Sequence, residues 1–310
     1  MKKARKIAVI TLLSLSAIIF IGGILFLLVM TDGAKLNASA LPTEDGGYLY
    51  YDLNDEPMQN GSYVTLDQVS EHIKHAFIAV EDKRFYQHGG IDVKRTVGAI
   101  LKNVKDRKFS QGGSTISNQL VKNTHLSNEK TLKRKIKEAK ITFELEKRYK
   151  KDEILEMYLN VLYFGKGIYG VKNACRTIYG KSPAEVSAIE AASLAATIAN
   201  PAKYSVLTNY EQNRKRTEMV LWLMQEEGYL SAAEYNEVKE SEIIINYTKN
   251  NNNCNEIYVN STFNEAKSII NSAIKLGTKA PYRIYTHYDP MAQNAATNAT
   301  ILMLFIFTKV

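Results

Sequence analysis

The sequence predicts a mainly α protein carried behind one apolar N-terminal helix. Three observations lead there. Ile7 to Met30 is 24 residues without a charge. From Thr65 to about residue 240 the apolar residues recur at helical spacing, punctuated by capping signals. Only two short stretches, Tyr48–Tyr51 and Tyr282–Thr286, read as strands.

The 310 residues carry 40 Lys+Arg against 32 Asp+Glu, a net charge of +8, with 45% hydrophobic residues and 2 cysteines. That balance excludes a wholly disordered chain and a collagen. Two cysteines are too few for a disulfide scaffold or a multi-cysteine zinc module. Lys2, Lys3, Arg5 and Lys6 precede the apolar stretch and Asp32 follows it. At about 1.5 Å per residue, residues 7–30 span the hydrocarbon of a bilayer. The basic flank places residues 1–6 in the cytoplasm and the rest outside. Ala38-Ser39-Ala40 resembles a signal-peptide cleavage site, but the apolar stretch is longer than a signal core. A retained anchor is the expectation.

Residues 31–64 read as a tether and a small extended element. Asp45-Gly46-Gly47 and Asn60-Gly61 flank the strand-like Tyr48–Tyr51. Thr65 as N-cap, with Gln68 three residues on, opens a helix whose face is Leu66, Val69, Ile73, Phe77 and Val80. Gln111-Gly112-Gly113-Ser114-Thr115 leads into a helix over Ile116–Asn123. Lys130–Tyr149 is the next helix, with Leu132, Ile136, Ala139 and Phe143 as its buried stripe. Asp152 caps a helix reaching Asn160. Ser182-Pro183-Ala184-Glu185 is a capping box for a helix ending before Pro201. Tyr210–Glu227 and a helix opened by Ser231 complete the helical region, at least six helices between 65 and 240.

Four segments hold residues suited to chemistry. Glu81-Asp82-Lys83-Arg84-Phe85-Tyr86-Gln87-His88-Gly89-Gly90 places two carboxylates at the end of an apolar helix. Desolvation there raises a carboxyl pKa and suits a general base, while an ion-pair cluster is the plainer reading. Gly112-Gly113-Ser114-Thr115 presents free N–H groups at a helix start. It suits an anion or is an ordinary capped loop, and it is no Walker loop. Lys130–Lys151 holds ten Lys/Arg and three Glu. Glu138 lies about 130° from the stripe, beside Arg134 and Lys135. It belongs to a solvated ion-pair network or to an anion site. The fourth segment, Lys151–Asn160, is explained by packing through Ile154, Leu155 and Leu159.

Together, in this order, the segments resemble the glycosyltransferase family 51 domain of class A penicillin-binding proteins and peptidoglycan transglycosylases. The motif E-D-x-x-F-x-x-H-x-G is matched at Glu81, Asp82, Phe85, His88 and Gly90. G-G-S-T is matched at Gly112–Thr115, followed by Gln119-Leu120 and Lys122-Asn123. R-K-x-x-E is matched at Arg134, Lys135 and Glu138, and K-x-x-I-L-E-x-Y-L-N at Lys151–Asn160. Glu190–Tyr204 is similar to a fifth motif. The resemblance covers residues 45–240 and departs at Asn118, where a Gln is usual, at Gly98, where an Arg is usual, and at Val206, where a Pro is common.

The resemblance implies a lysozyme-like transglycosylase domain over residues 65–245 with a small membrane-proximal lobe. It implies polymerisation of lipid II with inversion and release of undecaprenyl pyrophosphate. Glu81 would be the general base and Glu138 the second carboxylate, near the departing pyrophosphate. Ser114, Lys122, Lys130, Arg134 and Lys135 would contact the phosphates. Asp82, Phe85, His88, Thr115 and Gln119 would complete the substrate site. It further implies a divalent cation, Mg or Mn, at the pyrophosphate, though no ligand cluster marks a metal site, and no organic cofactor. The expected partners are lipid II, the nascent glycan strand, membrane lipid and other cell-wall proteins, with no nucleic acid.

Tyr285–Gln293 is similar to the linker strand that leads into a penicillin-binding transpeptidase domain. Residues 246–310 are therefore expected to be a linker and the truncated start of such a region. Ser127–Lys130 and Ser272–Lys275 fit S-x-x-K as strings, but no Lys-Thr-Gly follows either. Two competing functions are a lysozyme-like glycan hydrolase and a non-catalytic membrane scaffold. The basic Lys130–Lys151 helix argues against the first, since a hydrolase has no pyrophosphate to neutralise. Intact Glu81 and Glu138 argue against the second.

Overall fold

The computed structural model describes residues 16, 23–24, 27–43, 49–51, 63–98, 113–126, 131–166, 168–247 and 283–285. It is mainly α. In chain order the helices are α1 (Glu71–Glu81), α2 (Ile116–His125), α3 (Leu132–Arg148), α4 (Lys151–Val161), α5 (Val171–Tyr179), α6 (Ala188–Ile198), α7 (Pro201–Tyr204), α8 (Tyr210–Glu226) and α9 (Ala232–Glu240). Strands β1 (Leu49–Tyr51) and β2 (Arg283–Tyr285) pair in parallel, Tyr50 opposite Ile284. Both fall inside the stretches that read as strands. Most of the apolar span 7–30 and most of residues 246–310 lie outside the described residues. Among the described residues no helix is long and apolar enough to cross a membrane.

The chain divides into two compact units, residues 1–37 with 81–158, and residues 38–80 with 159–310. In the second, α6 is buried along nearly its whole length and its alanines admit close neighbours. Asn213 of α8 is fully buried there. Its amide donates to the carbonyls of Ser193 (3.1 Å) and Tyr204 (2.8 Å), and its Oδ1 accepts from the Ser193 hydroxyl at 2.8 Å. These bonds satisfy a polar group that would otherwise be costly to bury. Asn160 exchanges two bonds with the backbone of Val64, donating at 2.8 Å and accepting at 3.0 Å.

Local capping corrects several sequence expectations. Thr65 does not cap one long helix. A 3-10 turn at Leu66–Gln68 comes first, and α1 starts at Glu71. Ser182 and Glu185 do form a capping box, but on a separate 3-10 turn. A second box, Ser187 with Glu190, starts α6. Pro201 opens α7 instead of merely ending the helix before it, because proline suits the first helical turn. Asp152 lies inside α4, and the N-terminal cap bond runs from the Lys150 N–H to Glu153 Oε2 at 2.6 Å. Helix α5 has no counterpart among the sequence expectations. Gly170 precedes it and left-handed Gly180 ends it.

In the first unit the decisive packing is α2 against α3. The buried face of α3 is Glu138, Ile141, Thr142 and Leu145, not the expected stripe. Leu132 is 68% exposed. Polar clamps from α2 set that rotation. Asn118 Nδ2 donates to Thr142 Oγ1 at 2.9 Å, and the Ser117 hydroxyl donates to Glu146. Gly90, with φ +92°, rests on the same face, and a Cβ there would stand 2.8 Å from Thr142 Cγ2. Gly90→Ala therefore combines backbone strain with a clash, and is expected to destabilise the protein by about 2–4 kcal/mol in denaturant titration. Adding Thr142→Ser keeps the hydroxyl and removes Cγ2. It should recover part of that loss, and no recovery would contradict this contact.

Candidate active site

The residues predicted from the first motif converge on one buried carboxylate. Asp82 is 0% exposed. It receives the His88 Nε2–H at 3.0 Å and the Ile116 backbone N–H at 3.1 Å. The tautomer follows from the other ring nitrogen. His88 Nδ1 accepts the Gly90 N–H at 3.2 Å, so the ring proton sits on Nε2 and points at Asp82. Asp82 thus fastens the loop after α1 to the first turn of α2, where a helix N-terminus favours negative charge. Phe85 is buried beside it, with Lys151 Nζ 4.5 Å over its ring.

Glu81, the last residue of α1, is differently placed. One carboxylate oxygen accepts from Gln119 Nε2 at 2.6 Å, and Gln119 Oε1 accepts from the Tyr158 hydroxyl at 3.3 Å. Among the described residues the other oxygen has no partner. Arg95 donates to the Glu81 carbonyl. Tyr158 is wholly buried, and burial together with the Glu81 and Asp82 charges holds its hydroxyl well above the usual phenol range. It stays a donor at any working pH, which orients the Gln119 amide toward Glu81.

The glycine-to-helix segment is held by its own caps. Thr115 Oγ1 accepts the Asn118 N–H at 3.1 Å and donates to the Gly90 carbonyl at 2.6 Å. Asn118 completes a reciprocal capping box with the Thr115 N–H at 3.4 Å. The departure from Gln therefore leaves a residue short enough to cap its own helix and still reach Thr142. Ser114 is half-buried and Lys122 exposed. Lys130 lies outside the described residues.

Glu138 is 2% exposed, pairing with Lys135 and, at 3.5 Å, with Arg134 NH1. The motif R-K-x-x-E thus closes into one cluster on consecutive turns of α3. Glu81, Gln119 and Tyr158 form a second cluster, and Asp82, His88 and Ile116 a third. Asn118 and Thr142 join α2 to the turn of α3 that carries Glu138, since Thr142 Oγ1 donates to the Glu138 carbonyl at 2.7 Å. Tyr158 was missed as a site residue. Its place in K-x-x-I-L-E-x-Y-L-N was the available signal. No group of three or more His, Cys, Asp or Glu able to hold a metal ion occurs among the described residues. Both Glu138 oxygens are engaged by cations, so the described side chains do not fit a resident metal.

Two outcomes test this geometry. In Asp82→Asn the amide oxygen can still take the Ile116 N–H, but the NH2 is then turned against the His88 Nε2–H. The variant should lose about 2–4 kcal/mol of stability, read by chemical denaturation. Asp92 supplies a pH test. Burial works to raise its carboxyl, but the Arg84 guanidinium, donating from Nε at 3.0 Å, and the Arg95 N–H at 2.8 Å outweigh it and hold it below the usual range. A depressed folded-state value stabilises the fold above the unfolded carboxyl's value of about 3.9. The stability gap between wild type and Asp92→Asn should be full above that pH and close as pH falls through the folded value. A gap that persists unchanged into strong acid would contradict it.

Comparison with known proteins shows the family. Residues 50–225 match the model of the transglycosylase family. The chain is 40% identical over 236 residues to penicillin-binding protein 1A/1B of Bacillus subtilis, covering 74% of this chain and 26% of that protein. It is 43% identical over 180 residues to penicillin-binding protein 1A of Aquifex aeolicus, covering 58% and 25%. Penicillin-binding protein 2a of Streptococcus pneumoniae is 34% identical over 304 residues, covering 95% and 40%. The chain thus spans between a quarter and two fifths of the length of these relatives. With a family match over more than half of its residues, the chain belongs to the transglycosylase family.

Proposed function

We propose that this chain is a peptidoglycan glycosyltransferase that polymerises lipid II into glycan strands. The observation that carries the reading is the unequal use of the two adjacent carboxylates. Asp82 is spent on His88 and Ile116, whereas Glu81 keeps an oxygen with no partner among the described residues. A base needs a free lone pair within reach of the proton it takes.

Glu81 takes the proton of the acceptor sugar's 4-hydroxyl. That oxygen attacks the anomeric carbon of the donor from the side opposite the leaving group, so the configuration inverts. The bond to the pyrophosphate breaks and undecaprenyl pyrophosphate departs with the electron pair. Negative charge grows on the leaving diphosphate, and fixed cations stabilise it without reorganisation. Arg134 and Lys135 supply such charge, and Glu138 holds their side chains in place. Lys122, Lys130 and Ser114 belong to the same phosphate site by motif. Gln119 and Tyr158 keep the Glu81 carboxylate aimed. A divalent cation, Mg or Mn, bound by the substrate's diphosphate would add positive charge there. The domain is lysozyme-like, residues 7–30 anchor it in the cell membrane with the N-terminus cytoplasmic, and lipid II and the growing strand are its ligands.

The test is incubation of the detergent-solubilised chain with lipid II and a divalent cation. Glycan polymer should form. Glu81→Gln keeps an oxygen for the Gln119 bond, so its melting temperature should match wild type while the rate falls at least about 100-fold. Polymer formation by Glu81→Gln at the wild-type rate would overturn the assignment. Shortening of preformed glycan without polymerisation would favour the hydrolase.

A further inference from the structure

A second cationic site lies at the other face of α3. A cavity of about 420 Å³ is lined by Lys35, Lys133, Arg134 and Lys137, with His125, Thr131 and Ile141 in its walls. Among the described residues no carboxylate lines it. Among the described residues, Lys35, Lys133 and Lys137 pair with no Asp or Glu. Three other cations of this unit do have carboxylate partners, Lys135 with Glu138, Lys140 with Glu144 and Lys151 with Glu146. Arg134 divides the two faces. Its NH1 reaches Glu138 at 3.5 Å, while its Nε is buried with no hydrogen-bond partner. A guanidinium N–H left without an acceptor at the edge of a cationic cavity is a place for an anion.

The wall is built, not incidental. The Leu36 N–H donates to Glu144 Oε2 at 2.7 Å and the Asn37 N–H to His125 Nε2 at 3.1 Å. The segment bearing Lys35 is thereby fastened onto α2 and α3. Exposed apolar residues adjoin the lining residues in sequence. Leu27 and Met30, 61% and 46% exposed, precede the segment, and exposed Leu132 begins α3. A cationic cavity whose lining segments are flanked in sequence by exposed apolar residues fits the boundary between headgroups and hydrocarbon.

We propose that this cavity binds the phosphate of an anionic bilayer lipid, with Lys35, Lys133 and Lys137 around it and Arg134 Nε as a donor. The proposal rests on the membrane-anchored reading of residues 7–30. Such a site fixes the height and tilt of α3, and with it Glu138, above the membrane that delivers the substrate. A neighbouring cavity lined by Lys35, Leu36, Glu144, Lys147 and Arg148 contains a carboxylate and serves as the control.

The test titrates the full chain in neutral detergent with short-chain phosphatidylglycerol, phosphatidylcholine and inorganic pyrophosphate, scoring bound species by native mass spectrometry. Phosphatidylglycerol should bind at least tenfold more tightly than phosphatidylcholine. K133Q/K137Q should weaken it at least tenfold, and K133R/K137R should restore it. K147Q/R148Q removes the same charge and should stay within twofold of wild type. Equal weakening by both glutamine pairs would reduce the effect to net charge and overturn the proposal. Pyrophosphate binding more tightly than the lipid, and lost in K133Q/K137Q, would overturn it in favour of the substrate's diphosphate. Glu81→Gln should bind phosphatidylglycerol as wild type does, which separates this site from the proposed catalysis. Release of the wild-type chain from membranes by carbonate would refute the anchor, while the detergent titration would still read the cavity.

Discussion

The buried Asp82 carboxylate is the constraint on which the candidate site depends. It is withdrawn from water and repaid by two N–H donors, one from a side chain six residues on and one from the backbone at the start of α2. A carboxylate so buried must keep those donors. The loop from Glu81 to Gly90 and the turn from Gly113 to Ile116 consequently hold each other, although 34 residues separate Asp82 from Ile116. Gly90 carries the constraint onward. Its carbonyl takes the Thr115 hydroxyl, and its missing side chain admits Thr142. Helix α3 is then seated with Glu138 inward.

This frame divides labour between neighbours in sequence. Both hydrogen-bond partners of Asp82 belong to the fold itself. Among the described residues Glu81 is left with a single neutral amide donor, oriented by a tyrosine that burial keeps protonated. The cations of α3 divide in the same manner. Lys135 and Arg134 turn to Glu138, and Lys133 and Lys137 turn to a cavity with no carboxylate among its described lining residues. One helix thereby presents a neutralised face and an unneutralised one, which a net charge of +8 for the whole chain does not show.

Much of the fold was legible because caps and apolar spacing are local. Helices α2, α3, α4, α8 and α9 stand within a few residues of their sequence bounds, and both strands fall where alternating residues and turn signals placed them. The misses share a cause. The facing of α3 was misjudged because its most regular apolar stripe is not its buried one. Asn118, Ser117 and Gly90 set the rotation, and those contacts come from residues distant in sequence. The split helices near Thr65 and Ser182 were misread because a capping box marks a start without fixing whether the turn continues. The family resemblance implied Glu81 and Glu138 as the two site carboxylates. It could not separate the structural Asp82 from the available Glu81, because hydrogen-bond partners decide that. The cationic cavity was invisible for the same reason, since Lys35 meets α3 only through folding.

The central claim is that Asp82 holds the site while Glu81 performs its chemistry. The most direct measurement follows lipid II consumption by Glu81→Gln protein whose Ile116 amide hydrogen exchange is recorded on the same sample. The account predicts wild-type protection at Ile116 and no polymer. Polymer at the wild-type rate with protection intact would contradict it, and so would loss of protection at Ile116, which would make Glu81 part of the frame.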